Sequence, residues 1–143
     1  SVTVMVQKEV AQRICAAPGS RDYGSFSVFC RYYADPTLLF DVPPSCFVPQ
    51  PKVTSTVLAL QIRGAPPCQV PDETTFFQTV RAGFAQRRKT LSNALAAGFP
   101  ELSKARIQQL LTRCGLNPTA RAETLPLEAF AQLSGAIFQE RGT

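Results

Sequence analysis

Two segments hold the residues whose types and spacing could do chemistry: Phe47-Val48-Pro49-Gln50-Pro51-Lys52-Val53 and Gln86-Arg87-Arg88-Lys89-Thr90. In the first, prolines at 43, 44, 49 and 51 fix φ and withhold backbone donors, which rules out a helix or a central strand and leaves a stiff extended loop. Such a loop holds the Phe47 ring in a set orientation at little ordering cost when a ligand arrives, and a nucleobase stacked on a ring of this kind gains ~1–3 kcal/mol. The same spacing suits a ring that pins the loop to the core, which is the commoner role of a phenylalanine. Spacing alone favours the plainer role.

In the second segment three consecutive cations stand in the middle of an amphipathic pattern, with Arg88 close to the line of Val80, Phe84, Leu91 and Leu95. Three adjacent side chains fan over most of a helical turn, so either the helix breaks here or the cluster lies at a seam between domains. Guanidinium groups grip phosphate in a bidentate way and Lys89 adds a point charge, a combination that suits a nucleic-acid backbone and carries little sequence information. An interdomain set of salt bridges uses the same residues equally well.

Other chemistries are poorly supplied. The chain has no histidine, which removes Ser-His-Asp and Cys-His nucleophilic machinery and the usual imidazole acid or base. Its five cysteines (15, 30, 46, 68, 114) include no Cys-x-x-Cys pair, so neither a zinc site nor a disulfide framework is expected, and the thiols read as reduced in a cytoplasmic protein. No apolar run approaches the ~20 residues of a membrane span. The net charge of +5 divides between six Lys/Arg against four Asp/Glu in residues 1 to 65 and nine against six in residues 66 to 143. This mild basic excess suits a polyanion without requiring one.

The elements that must position these segments follow from periodicity. Val2 to Val6 is a β-branched run of buried-strand type, and Lys8 to Ala17 reads as a short helix stopped by Pro18-Gly19. Ser20 is placed to cap a second helix whose stripe of Tyr23, Phe26, Phe29, Cys30 and Tyr33 faces a core, ending at Asp35-Pro36. A short strand from Leu38 to Val42, the proline loop, and a longer strand from about Thr54 to Arg63 suggest an antiparallel pair. Gly64-Ala65-Pro66-Pro67 marks a domain boundary, which divides the chain into residues 1–65 and an all-α part at residues 66–143. There one helical stretch is expected from about Glu73 to Ala97. Ser103 caps the next helix, which Gly115 stops. A last helix is capped by Thr124 and buries Leu127, Phe130, Leu133, Ile137 and Phe138.

Taken together, Val6 to Arg13, Pro18-Gly19-Ser20, Tyr23-Gly24, the Phe47 to Val53 loop with Ser55, Phe84 to Leu91, and Arg121-Ala122-Glu123-x-Leu125 resemble the bacterial small-subunit ribosomal RNA adenine dimethyltransferase family, nearly end to end. The erythromycin-resistance ribosomal RNA methyltransferases share the loop, whereas the Gln-Arg-Arg-Lys-Thr-Leu and Arg-Ala-Glu-x-Leu segments look like the dimethyltransferase branch. The resemblance implies an α/β plus all-α fold: the C-terminal part of a Rossmann-like class I S-adenosylmethionine-dependent methyltransferase sheet, followed by a small helical domain that contacts ribosomal RNA. It implies N6 dimethylation of two adjacent adenines near the 3′ end of small-subunit ribosomal RNA, in a pre-30S particle.

In such enzymes the target base is drawn out and stacked on aromatic rings, so the resemblance makes Phe47 a base-stacking residue and Lys52, Arg87, Arg88 and Lys89 RNA contacts. The family's Gly-rich cofactor turn and its Asn-Leu-Pro-Tyr type motif do not occur. No cofactor-binding residue is therefore expected in this chain, and it is read as the C-terminal half of a methyltransferase, inactive by itself. A non-catalytic RNA-binding or ribosome-assembly module is the alternative. Strands cut from a larger sheet leave open edges, so self-association through residues 2 to 6 is also expected.

Overall fold

In the computed structural model, which describes residues 1–142, β1 (Val2–Gln7) passes without a turn into α1 (Lys8–Cys15), and α2 (Ser25–Tyr33) passes directly into β2 (Ala34–Val42). After a long loop β3 (Ser55–Ile62) returns, followed by α3 (Glu73–Phe84), α4 (Leu91–Gly98), α5 (Lys104–Arg113) and α6 (Leu127–Arg141). The chain divides into two units, one made of Ser1–Ala17 with Arg21–Pro67, the other of Pro18–Ser20 with the chain from Cys68 onward.

The first unit is built on a three-stranded sheet in the order β1-β3-β2 with both pairs antiparallel. Side chains alternate between its faces. Val4, Val6, Leu58 and Leu60 lie on the face that packs against Val10, Ala11, Ile14 and Cys15 of α1 and Cys30 of α2. The register sets Met5, Val57 and Phe40 in one row on the opposite face, where Met5 is 52% and Phe40 60% exposed. β1, expected to be buried, is thus covered on one side only.

Two side chains of α2 secure the end of α1. Arg31 Nη2 donates to the carbonyls of Cys15 (3.0 Å) and Ala16 (3.1 Å), and Ser27 Oγ donates to the carbonyl of Arg13, so carbonyls that no helical amide can reach are satisfied.

α2 differs from expectation in two respects. It begins at Ser25 behind Gly24, not at Ser20, and its buried side chains are Ser27, Val28 and Tyr32. Phe26 and Tyr33 face outward. The sequence offers two overlapping apolar stripes at 3 and 4 spacing, and packing chose the one continuous with Tyr23. β2 begins earlier than expected and includes Pro36, which a strand tolerates when it lies at a sheet edge.

In the second unit Asp72 caps α3 by accepting from the Thr75 amide (3.0 Å) and hydroxyl (2.6 Å). The single helix expected from 73 to 97 is two helices, separated by residues 85–90. The break has a physical cause: the Leu91 amide donates to the carbonyl of Ala120 at 2.7 Å, a partner outside any continuous helix. Ser103 Oγ caps α5 by accepting from Arg106 N at 3.1 Å. α5 ends in a Schellman motif, with Leu116 N on Leu111 O (2.9 Å), Gly115 N on Thr112 O (3.0 Å), and Gly115 at φ +75°.

The N-cap position of α6 is Pro126, not Thr124, and no side chain caps the helix there. The Thr124 hydroxyl instead donates to Arg121 O at 2.7 Å and closes a short 3-10 turn. Phe76, Val80, Leu91, Leu95, Phe99, Ile107, Leu110, Leu111, Phe130, Leu133 and Ile137 form the buried interior, whereas Phe138, expected inside, is exposed.

Candidate nucleic-acid interface

β2 ends at Val42 and β3 begins at Ser55, and these two residues form the last rung of their ladder. The intervening loop leaves the sheet through a 3-10 turn, Pro44–Cys46, with Cys46 N on Pro43 O (3.1 Å) and Phe47 N on Pro44 O (3.2 Å). This turn delivers Phe47 in extended conformation and half-buried. Its neighbour Val48 is fully exposed, and Lys52 and Val53 are exposed farther along. The loop thus presents one ring that is neither sunk in the core nor loose in solvent.

At the root of this loop three chain segments converge. Lys8 Nζ lies 3.1 Å from Asp41 Oδ2, Thr56 Oγ1 donates to Asp41 Oδ1 at 2.8 Å, and the Lys8 amide donates to Thr54 O at 3.0 Å. The Thr56 hydrogen bond, then Lys8, holds the Asp41 carboxyl below its ordinary range. A cavity of about 310 Å³ beside this cluster is lined by Lys8, Ala11, Gln12, Leu38, Leu39, Phe40, Asp41 and Thr56. The Lys8–Asp41–Thr56 constellation escaped sequence reasoning because its members are 15 or more positions apart and form no motif.

Arg87, Arg88 and Lys89 are all exposed in the connection between α3 and α4. Ion pairs of the helical unit include Arg106–Glu140 (2.6 Å) and Arg141–Glu101 (3.0 Å), and among the described residues neither Arg88 nor Lys89 takes part in one. The turn is shaped by Lys89 N on Gln86 O at 3.0 Å. Arg121 is exposed next to Ala120, whose carbonyl fixes the start of α4, so a fourth cation follows the anchor of this turn. Phe47 and Lys52 therefore share one loop of the first unit, and the three-cation cluster forms a turn of the second.

A nucleotide-type cofactor calls for a glycine turn between a strand and a helix. Here Gln7 joins β1 to α1 with no glycine between them, and the positive-φ glycines, Gly19 and Gly115, follow helices. The nearby acid, Glu9, is engaged by Arg13 at 2.7 Å. These residues do not form a cradle for S-adenosylmethionine. Nor do the described residues contain a group of three or more His, Cys, Asp or Glu able to hold a metal. Burial pushes the Cys15 thiol up and that of Cys30 up to about 11, which keeps both protonated and poor as nucleophiles. None of the described helices is long and apolar enough to cross a membrane.

A family model described as "Ribosomal RNA adenine dimethylase" matches residues 1–139. Ribosomal RNA small subunit methyltransferase A of Caldanaerobacter subterraneus subsp. tengcongensis is 49% identical over 138 residues, covering 96% of this chain and 50% of that protein. The protein of the same name from a Geobacillus species is 47% identical, covering 95% and 47%. The chain thus spans about half the length of the curated relatives it matches. Among solved structures, a dimethyladenosine transferase from Plasmodium falciparum superposes with a TM-score of 0.82 at 22% identity, over 98% of this chain and 58% of that one. The 23S rRNA methyltransferase ErmE superposes with 0.65 at 19% identity, over 96% and 54%. Both likenesses are of fold, and they make the sheet and its helices part of a methyltransferase fold.

Proposed function

The chain belongs to the ribosomal RNA adenine dimethylase family, and on that premise we propose that it carries the target-base side of an enzyme that dimethylates the N6 amines of two adjacent adenines near the 3′ end of small-subunit ribosomal RNA. The methyl donor of this reading is S-adenosylmethionine. The setting is a pre-30S particle in the cytoplasm. One observation carries the reading: the proline-framed loop presents a half-buried Phe47 at the end of the sheet where β1, β2 and β3 meet.

An adenine drawn out of its stack needs a flat apolar surface to replace its lost neighbours, and Phe47 supplies it. Lys52, in the same loop, meets a nearby phosphate. Arg87, Arg88 and Lys89 give the helical unit a grip on the RNA backbone that orients the substrate without reading its sequence. No step through the cofactor is assigned to these residues, because they form no cradle for it. Taken alone, the chain supports binding and not transfer, and this favours a second reading as an RNA-binding module of ribosome assembly. The open β1 edge also supports self-association of the isolated chain.

The test uses an RNA hairpin from the small-subunit 3′ end with 2-aminopurine in place of one target adenine. Phe47→Ala weakens binding by ~1–3 kcal/mol, about five- to 150-fold, and removes the stacking quench, while Phe47→Tyr keeps both. Equal binding and quench in Phe47→Ala refutes the base-holding role. Isothermal calorimetry of the chain with S-adenosylmethionine gives no saturable heat; a saturable signal refutes the reading that the cofactor side lies outside these residues. Transfer of labelled methyl to RNA when the chain is mixed with the cofactor-binding half of a relative supports the enzyme, and retained RNA binding without transfer supports the second reading.

A further inference from the structure

The loop that carries Phe47 has little internal bonding of its own. Its backbone hydrogen bonds are those of the Pro43–Phe47 turn and the one that Thr54 O accepts from Lys8 N. A 12-residue connection of this kind keeps a ring in place only if its two stems are fixed. The stems are Asp41-Val42 and Ser55-Thr56, cross-strand partners in the register Asp41↔Thr56 and Val42↔Ser55. A third segment, Gln7-Lys8, lies alongside, since Gln7 pairs with Ser55.

We propose that Lys8, Asp41 and Thr56 are positioning residues that lock these stems together and so hold the Phe47 ring at the orientation a target base requires. The proposal rests on the base-holding role given to Phe47 above. The Asp41 carboxylate is the hub: one oxygen accepts from Thr56 Oγ1 at 2.8 Å, and the other faces Lys8 Nζ at 3.1 Å. Thr56 is buried, so its hydroxyl has a fixed direction and fixes that of Asp41 in turn. Lys8 reaches the same carboxylate from α1 while its amide binds Thr54 O, so a single residue contacts one stem and the end of the loop beside the other.

Lys8 and Asp41 are each about half exposed, at 49% and 48%, and pairs of that kind add little to global stability. What they restrict is local motion. A buried anchor for overall stability would instead exclude water from the pair, whereas this one is half exposed and joins the start of α1 to the segments that flank the loop.

The closing experiment separates the clamp from the base-holding role. Backbone order parameters of residues 47–53 are measured by ¹⁵N relaxation on the RNA-free chain, beside thermal unfolding and the 2-aminopurine quench. In Asp41→Asn and in Lys8→Gln the order parameters fall from about 0.85 to below about 0.6, the melting temperature holds, and the quench drops at least twofold. Asp41→Glu, which keeps the anion, retains order and quench. Lys8→Gln, a change on an exposed side chain, keeps the test valid should Asp41→Asn fold poorly. Unchanged order parameters in both variants, or a wild-type loop already disordered, overturn the clamp. A loss of order in the variants with no quench in the wild type supports the clamp and overturns the base-holding role instead.

Discussion

Replacing Gly98 by alanine would set a new Cβ 2.3 Å from the Cβ of Ala82 and 3.4 Å from its Cα. Carbon atoms in contact settle at ≈ 3.5–4.0 Å, so α3 and α4 would have to separate by roughly 1 Å or more at this point, and neither short side chain can swing aside. Separation also loosens the packing of Phe76, Val80, Leu91 and Leu95, all fully buried between these helices and their neighbours. Overpacking of this order costs ~1–3 kcal/mol. Against it stands a helix-propensity gain of at most ~1 kcal/mol for alanine over glycine, smaller at the last position of α4. The net is a loss of ~1–2 kcal/mol, which lowers the melting temperature of a unit this size by roughly 5–15 °C. Far-UV circular dichroism during heating and in urea measures it. Adding Ala82→Gly in the Gly98→Ala background should recover part of the loss, with a coupling energy of the opposite sign to the single effects. A Gly98→Ala protein as stable as the wild type, or more so, refutes the close approach of these helices.

Arg87→Ala with Arg88→Ala should weaken binding of small-subunit RNA about equally for all sequences and flatten the slope of log K against log salt by about 1.4–1.8; insensitivity to both changes would make the cluster structural. Glu140 is held below its ordinary carboxylate value, first by the hydrogen bond from Arg106 and then by the charges of Arg106 and Arg113. A depressed folded-state value means that the stabilisation is present above the ordinary carboxylate range and lost as pH falls through the lowered one. Acid unfolding of the helical unit should therefore be shallower in Glu140→Gln, and superimposable acid transitions of the two proteins would contradict this. Light scattering should give the isolated chain a mass above its 15.6 kDa, and Met5→Lys on the β1 edge should return it to monomer. A monomeric wild type at high concentration ends that reading.

Much of the helical unit was legible in the sequence because its signals are local. Ser103 and Gly115 name their own cap and stop, and Ile107, Leu110 and Leu111 face inward as their spacing requires. The proline loop was legible for the same reason: proline's constraint on φ acts without help from the rest of the fold. What escaped depends on distant partners. The apolar period from Val80 to Leu95 runs through residues 85–90 as though the helix continued, and only the Ala120 carbonyl shows where it restarts. The choice between Phe26 and Val28 as the buried side of α2 is set by what packs on it. Pro126 stands at the N-cap position expected of Thr124, whose hydroxyl instead donates to the Arg121 carbonyl. At the candidate site, Phe47 and the cations were visible as residue types, while the Asp41 hub that joins the Phe47 loop to α1 was not, since a carboxylate in a strand signals nothing until its partners are in place.

The start of α4 is held by carbonyls from another stretch of chain: Leu91 N on Ala120 O at 2.7 Å and Ser92 N on Pro118 O at 3.4 Å. Thr90 spends no side-chain hydrogen bond on capping α4. The charges of the Arg87–Lys89 turn and the address at which they are displayed are thus written in separate parts of the sequence. Substitutions at 117–120 can move the cations relative to a bound backbone without altering a single charge, and the turn itself can exchange one cation for another without losing its anchorage. For the RNA partner proposed above, this separation would let position and strength of grip be tuned independently.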